Sequence, residues 1–270
     1  MAEANPPLNE KYLDRIAALR LIDDEFFSEA LDGKIAAVQV LVDTILERTD
    51  LKVISAKSQV TYKSAAGRSI RLDIKAETAN GEVVDIEIQR ADQGAGARRA
   101  RFYSSMIDRT LLNAGDAFEK LPDTWVIFIT EHDLFKRGLP SYHIDRTVTE
   151  LEHAAFEDGS HIVYVNGQFR DEKHPVGRLM HDFFCTRAED MLNPLLAEEV
   201  KYLKETEGGQ GQMSRVLEEM CAEAAREAEY EKAVQIARQF LAEGIQPEVV
   251  ARCTGLSLDT VQELAGAKSA

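Results

Sequence analysis

The sequence predicts an α/β fold in which a mixed sheet is flanked by helices and followed by a helical C-terminal extension. Around Asp73 and around Glu87, apolar and polar residues alternate with the two-residue period of half-buried strands. Residues 125–130 form a continuous apolar run, which is typical of a central buried strand. Residues 213–241 are rich in Glu and Ala, which favours helix. Helices and hairpin-linked strands in this order predict a sheet covered by helices.

The N-terminal half contains predicted helices at residues 10–30 and 35–47, the second with apolar residues near helical spacing. Three strands are predicted after them, at 53–62, 70–77 and 83–89. The dipeptide Asn80-Gly81 separates the last two strands, and Asn-Gly is the strongest short-range signal for a tight hairpin turn. Those two strands are therefore predicted to pair.

An arginine-rich segment after the hairpin is predicted to form a helix that ends at Gly115. At about 100° per residue, three arginines fall on one arc of this helix: Arg98, Arg101 and Arg109. The opposite side is predicted to pack on the sheet, through Ala100, Tyr103, Ile107 and Leu111. The arginine arc either binds phosphate groups or forms a solvated, salt-bridged surface.

The C-terminal part contains a predicted strand at 162–165, helices at 175–185 and 195–204, and a glycine-rich joint at 208–211. Two short helices are predicted within 244–264: Pro247 suits a first helical position, Gly255 a C-terminal cap and Ser257 an N-cap. We divide the chain into a core at 1–190, a helical extension at 191–243 and a small helix-turn-helix-like tail at 244–270.

The 270 residues suit one large domain, or one domain with an appendage. No apolar run approaches the length of a membrane span, and residues 1–10 lack the hydrophobic region of a signal peptide. Cys185, Cys221 and Cys253 are widely spaced and odd in number, so neither a zinc site nor a disulfide framework is indicated. A reducing cytoplasm is the simplest location, and neither a membrane partner nor an organic cofactor is expected.

The formal net charge of −15 argues against strong nucleic-acid binding, because a polyanion is repelled at long range. The negative charge is unevenly distributed: residues 189–232 hold 12 acids and 5 bases, whereas residues 90–109 hold 5 arginines and 2 aspartates. A local basic face is therefore compatible with an acidic chain.

Asp73 and Glu87 are the candidate metal ligands. The predicted hairpin directs both acids toward one region of the sheet, where close carboxylates repel unless a cation lies between them. A divalent metal is the natural partner. The alternative is a solvated strand face, on which Arg71, Asp73 and Lys75 alternate with apolar residues. Gln59, on the preceding strand, faces either the same region or solvent.

The order of these motifs resembles the PD-(D/E)XK nuclease family, in its transposase-like, recombination-promoting branch. In that branch an Asp on the second core strand is followed on the third by Glu-x-Lys or Glu-x-Gln, which is matched here by Asp73, Glu87 and Gln89. An Arg- and Tyr-bearing helix and then a hydrophobic strand follow, matched by Arg98-Arg99-Ala-Arg101-Phe102-Tyr103 and by residues 125–130. The resemblance covers about residues 20–190 and extends to the tail, which is similar to the helix-turn-helix-like segment of some members of this branch, and it implies a restriction-endonuclease-like core.

The resemblance also implies a metal-dependent DNA endonuclease that acts in recombination or mobile-element processes. Asp73 and Glu87 would bind Mg²⁺ or Mn²⁺, and Gln89 would orient water or phosphate. The DNA backbone would be held by Arg98, Arg101 and Arg109. Since one such site cuts one strand, double-strand cleavage implies a homodimer.

The sequence departs from the family pattern at two places. Gln89 replaces a charged lysine, and the acid that relatives carry on the first helix is open among Glu25, Glu29 and Glu47. These departures support an alternative, a catalytically weak or inactive relative that serves as a DNA- or protein-binding regulatory module. In the tail, the last predicted helix holds acids rather than base-reading side chains, which favours dimerisation or packing over sequence readout.

Overall fold

The computed structural model describes residues 9–64, 67–90 and 94–266. Contacts divide the chain into two compact units, one that ends at Met213 and one that begins at Ser214. Residues 191–213 therefore group with the first unit. The three-part division at 190 and 243 stays a prediction.

A six-stranded mixed sheet forms the centre of the first unit. Its strands are β1 Val53–Tyr62, β2 Ile70–Thr78, β3 Val83–Gln89, β4 Thr124–Thr130, β5 Ser141–Ile144 and β8 Ser160–Asn166. Between β5 and β8, β6 Thr147–Val148 and β7 Ala154–Ala155 form a separate two-stranded ribbon. The spatial order is β1-β2-β3-β4-β8-β5. The first three strands are antiparallel, β3, β4 and β8 are parallel, and β5 runs antiparallel to β8. The predicted mixed α/β architecture is confirmed.

Six helices flank the sheet: α1 Leu13–Ala18, α2 Asp24–Leu31, α3 Ile35–Leu46, α4 Ala97–Leu111, α5 Pro175–Phe184 and α6 Pro194–Glu205. Helices α2 and α3 contact β1, and α4 contacts β4. On α4, Ala100, Tyr103 and Ile107 are buried in one apolar cluster with Phe128 of β4, and Leu111 packs against that cluster. The predicted sheet-facing side of α4 is confirmed, which fixes the rotation of this helix about its axis.

The second unit contains most of α7 Glu207–Ala242, together with α8 Pro247–Thr254 and α9 Leu258–Gly266. Its apolar cluster is built from Ala237, Val250, Leu256 and Val261. The predicted end signals are confirmed: Pro247 begins α8, Gly255 ends it with a φ of 73°, and the Ser257 hydroxyl accepts the Thr260 N–H. None of the helices in the described ranges combines the length and apolarity needed to cross a membrane.

The glycine-rich joint predicted at 208–211 is wrong, because α7 runs through it. A Cβ atom at Gly209 would overlap the Tyr202 carbonyl oxygen and would lie 2.6 Å from the Leu203 Cα. This glycine therefore allows the start of α7 to approach the end of α6 closely. Packing of α7 against α6 requires this glycine. Because glycine is also common in turns, composition alone could not distinguish close helix packing from a flexible joint.

Candidate active site

Asp73 and Glu87 lie where the backbone ladder between β2 and β3 ends. The last paired residues are Ile74 and Ile86. Beyond them the carboxylates replace backbone partners: Glu87 Oε1 accepts the Asp73 N–H at 2.9 Å, and Asp73 Oδ2 accepts the Ile88 N–H at 2.8 Å. Each acid is thus held by the neighbouring strand, so the two carboxylates are brought together before any ligand binds.

Both carboxylates are buried, with 6% of Asp73 and 0% of Glu87 exposed. Burial, with Glu87 and Asp24 adding repulsion, raises the pKa of Asp73 to about 9. Burial also raises the pKa of Glu87 to about 7, against the opposing effect of its hydrogen bond from the Asp73 N–H. The alternative of a solvated strand face is therefore wrong for these two residues. A buried pair of acids either holds protons or binds a cation.

Asp24, at the first position of α2, is a third acid at this site. Its side chain lies within hydrogen-bonding reach of Asp73, and burial raises its pKa, with Glu25 as the next cause. Its buried Oδ1 has no hydrogen-bond donor among the described residues. The start of α2 is fixed by Arg90, which follows β3 and donates to the Asp23 carboxylate at 2.7 Å.

Glu25, Glu29 and Glu47 were the sequence candidates for the first-helix acid, and none of them occupies the position of Asp24. Glu29 accepts a hydrogen bond from Gln212, and Glu47 is exposed at the C-terminal end of α3. Glu25 lies beside Asp24 and raises its pKa, but Asp24 is the acid that reaches Asp73. The run Asp23-Asp24-Glu25 indicated an acidic start of α2. Which of these acids faces Asp73 depends on the rotation of α2, and the sequence does not determine that rotation.

Asp85, two residues before Glu87 on β3, is fully buried, and neither of its carboxyl oxygens accepts a hydrogen bond from a described donor. Burial, followed by the charges of Glu87 and Asp73, holds the pKa of Asp85 well above its usual range. Burial of Asp85 therefore disfavours its charged form. The alternation of β3 placed it on the face of Glu87, but its complete burial was not predictable from that alternation.

Arg99, like Asp24, is a site residue that the sequence did not identify. Its guanidinium donates to Glu87 Oε2 at 3.2 Å, to Gln89 Oε1 at 3.1 Å, to the Gly94 carbonyl at 3.1 Å and to the Tyr103 hydroxyl at 2.8 Å. Arg99 lies one turn before Tyr103 on the side of α4 that packs on the sheet. The spacing of Arg99 and Tyr103, four residues apart, was a signal that this arginine points inward.

The predicted DNA-binding arginines are all exposed on α4, but they lie at different distances from the acids. Arg98 lines a cavity of about 700 Å³ that also contains Asp24, Asp73 and Gln89. Arg101 and Arg109 are not among its described lining residues, and Arg109 is about 16 Å along the helix from Arg98. Two arginines outside α4 line the cavity as well, Arg68 and Arg71.

Gln59 has a left-handed backbone, with a φ of 52°, and the pairing of β1 with β2 skips the position where it would face Asp73. Its side-chain amide donates to the buried Ser28 hydroxyl of α2 at 2.6 Å. Gln59 thus ties β1 to the helix that carries Asp24, and neither of the two orientations predicted for it describes this contact.

Tyr103 is buried, and its ring packs against Phe128 with centroids 6.1 Å apart. Burial, with the charge of Glu87 adding to it, raises the pKa of its hydroxyl to about 12. The hydroxyl accepts from Arg99, so Tyr103 packs on the sheet and also supports the arginine.

A six-stranded mixed sheet flanked by helices, with carboxylates clustered on its β2–β3 hairpin, is the architecture of restriction-endonuclease-like proteins. Within that class, residues 25–174 match the model of the PD-(D/E)XK nuclease family transposases, and the chain belongs to this family. Residues 230–266 match the model of the Rpn/YhgA-like nuclease family C-terminal HTH domain. No curated protein and no solved structure matches the chain.

Proposed function

We propose that this protein is a metal-dependent DNA endonuclease of the transposase-like PD-(D/E)XK group, acting in recombination or mobile-element processes. The observation that supports it best is the convergence of three carboxylates, Asp24, Asp73 and Glu87, in a largely buried position at the edge of an open cavity. Acids are costly to place together in this way without a cation.

The donor set fits a hard divalent cation. Asp73 and Glu87 would hold the metal, and Asp24 supplies an additional carboxylate whose buried Oδ1 is without a described donor. Oxygen ligands favour Mg²⁺ or Mn²⁺. When bound, such an ion lowers the pKa of a coordinated water and stabilises negative charge on a phosphate.

Gln89 and Arg99 together would perform the task of the lysine found in many relatives. Gln89 supplies an amide dipole without charge, and the hydrogen bond from Arg99 fixes its orientation. Arg99 supplies the positive charge, already held in place by Glu87 and Tyr103. A preorganised cation beside the reacting phosphate is worth most because it need not reorganise during the reaction.

The cavity rim would hold the DNA backbone. Arg68, Arg71 and Arg98 surround the acids, and Arg101 and Arg109 continue along α4. Phosphate contacts of this kind position DNA without reading its sequence. They give the chain a local basic face despite its net charge of −15.

Two further parts of the proposal concern assembly and location. Cleavage of both strands would use a homodimer, because one site cuts one strand, and the C-terminal HTH domain would assist either dimerisation or DNA binding. A cytoplasmic location, where DNA and reduced thiols are both present, fits the three free cysteines.

The proposal is tested by plasmid cleavage at low salt with Mg²⁺ or Mn²⁺, comparing the wild type with Asp73→Asn, Glu87→Gln and Asp24→Asn. We expect wild-type nicking and loss of nicking in the first two variants. Arg187→Gln, an exposed change beside α5, is the control and should cut as the wild type does. Equal cleavage by all variants would show that the nuclease activity does not belong to this site.

A binding module without catalysis is the second candidate, supported by Gln89 in place of lysine and by the net charge. As a DNA- or protein-binding regulatory module, it predicts that neither metal induces nicking and that partner binding persists in all acid variants.

A further inference from the structure

A second cluster of metal-binding side chains lies at the C-terminal end of α5, on residues that the nuclease proposal does not use. His181 and Asp182 occupy the last turn of the helix, and Cys185 follows its end. One ligand atom from each of the three residues lies within 4.8 Å of the other two. The spacing His-x-x-x-Cys places the first and last on one helical face, a pattern that contains no pair of cysteines.

The distances within the cluster match those between the ligands of a tetrahedral metal. His181 Nδ1 lies 3.2 Å from Asp182 Oδ1 and 3.6 Å from Cys185 Sγ. Ligands at about 2.0–2.3 Å from a tetrahedral Zn²⁺ are themselves about 3.3–3.6 Å apart. Two of the three pairs of ligand atoms thus already lie at this spacing, and the third, between Asp182 and Cys185, lies within 4.8 Å.

The carboxylate is positioned by the backbone that follows. Asp182 is 1% exposed, and its Oδ1 and Oδ2 accept the N–H groups of Leu192 and Asn193 at 2.7 and 2.8 Å. A carboxylate oxygen has two lone pairs, so one hydrogen bond to each oxygen leaves capacity for a metal. Hydrogen bonds of this kind orient ligating side chains in metal sites.

Backbone carbonyl groups beside Cys185 favour a cation at this point, whereas the positive charges of Lys204 and Arg170 oppose one. The carboxyl ends of helices carry partial negative charge, and Cys185 Sγ lies 3.4 Å from the His181 carbonyl and 3.6 Å from that of Asp190. Two nearby cations have other partners: Lys204 donates to the carbonyls of Ala17, Leu19 and Thr186, and Arg170 to that of Met180.

We propose that His181, Asp182 and Cys185 form a zinc site at the C-terminal end of α5, separate from the nuclease site and with a water as fourth ligand. The mixture of thiolate, imidazole and carboxylate selects Zn²⁺ over Mg²⁺, whereas the all-carboxylate site at β2–β3 has the opposite preference. The His181 side chain is 31% exposed, which gives the ion access from solvent. The ion would bind at the end of α5, where Asp182 already accepts hydrogen bonds from the loop before α6.

The proposal is tested with the full chain, stripped of metal, by titration with Co²⁺ as a spectroscopic substitute for Zn²⁺. We expect one equivalent to give a thiolate-to-cobalt charge-transfer band and the visible bands of tetrahedral cobalt. Cys185→Ser should abolish the charge-transfer band. Cys221→Ser and Cys253→Ser are matched controls at exposed cysteines and should keep it, as should Asp73→Asn.

Zinc affinity, measured by competition with a chromogenic chelator, gives a second readout. We expect Cys185→Ser and His181→Gln each to weaken binding at least about tenfold. Absence of the charge-transfer band in the wild type, or its persistence in Cys185→Ser, would overturn the proposal. Because neither readout depends on DNA cleavage, failure of the nuclease proposal leaves this test intact.

Discussion

At Arg99, one side chain joins the acid, the amide and the aromatic ring of the candidate active site. Its guanidinium bonds to Glu87, Gln89 and Tyr103 at 2.8–3.2 Å. An arginine that pairs with Glu87 on one side and orients Gln89 on the other places positive charge where a lysine would extend from position 89. In this protein, we infer, the required charge is carried by α4 and not by β3.

Replacement of Arg99 tests this division of roles. Arg99→Met should lower plasmid nicking at saturating DNA by about 10²-fold or more, the cost typical of losing one preorganised group in a transition-state site. Arg99→Lys should retain part of the activity because it keeps the charge but loses the paired hydrogen bonds. Initial rates at several DNA concentrations measure both effects.

The result that contradicts this role is a change confined to KM with an unaltered kcat. Such a result would make Arg99 a DNA-binding group only. Arg187→Met, which removes an exposed arginine paired with Glu189, is the control.

Asp73 links the site to stability. Its pKa rises from an ordinary value of 3.8 to about 9 on folding, so between these values the native state binds more protons than the unfolded state. Stability from this group is full below its unfolded pKa and is lost as pH rises through about 9. The raised pKa of Glu87, about 7, acts in the same direction.

The metal-free protein should therefore become less stable from acidic to alkaline pH, and Asp73→Asn should reduce that dependence. We expect the Tm of Asp73→Asn to exceed that of the wild type by a margin that grows with pH, as measured by thermal unfolding in a chelator. Parallel curves for the two proteins would contradict the raised pKa. Added Mg²⁺ should stabilise the wild type more as pH rises, since the ion displaces protons.

At the scale of elements, strands were more predictable than the site. The alternation of apolar and polar residues predicted the first and last residues of β1 and β3 correctly. Asn80-Gly81 predicted correctly that β2 pairs with β3. Both signals depend only on neighbouring residues. The alternation in β2 and β3, together with the predicted hairpin, also placed Asp73 and Glu87 side by side. Asp24 and Arg99 depend on how α2 and α4 are rotated against the sheet, which is decided by contacts between distant residues.

At the α6–α7 junction, the steric fit of Gly209 and the higher helix propensity of Ala have opposite effects on stability, so a substitution there shows which is larger. Gly209→Ala should destabilise the protein by about 1–3 kcal/mol, although Ala favours helix by about 1 kcal/mol, because a Cβ would overlap the backbone of Tyr202. Gly266→Ala is the control, since a Cβ at that helical glycine meets nothing within 4 Å. Denaturant unfolding measures both, and equal stability of the two variants would remove the steric argument.

At the scale of the whole molecule, the distribution of charge bears on how the proposed DNA substrate would bind. The net charge is −15, but three arginines, Arg68, Arg71 and Arg98, border the acidic cavity without the strong internal pairing of Arg99. The arginines therefore attract DNA only near the cavity, and beyond a Debye length the net negative charge of the protein repels it.

The salt dependence of DNA affinity should reflect this small contact area. The three arginines of the cavity rim predict a slope of about −3 for the logarithm of the association constant against that of salt concentration, and contacts from Arg101 and Arg109 as well would steepen it to about −4 to −5. Fluorescence anisotropy in Ca²⁺ with the Asp73→Asn variant measures it without cleavage. Arg98→Ala should reduce the slope by about one, and an unchanged slope would place the DNA elsewhere.

The left-handed turn at Gln59 has a consequence for the protein in concentrated solution. Strand β1 is ten residues long and lies at the edge of the sheet, where its outer N–H and C=O groups have no strand partner within the described sheet. Such an edge is a template for strand addition between molecules, and an irregular residue in its middle blunts that template. We infer that Gln59, together with the hydrogen bonds from the Ser58 N–H to Asp32 and from the Gly33 N–H to the Ala56 carbonyl, limits strand addition at this edge.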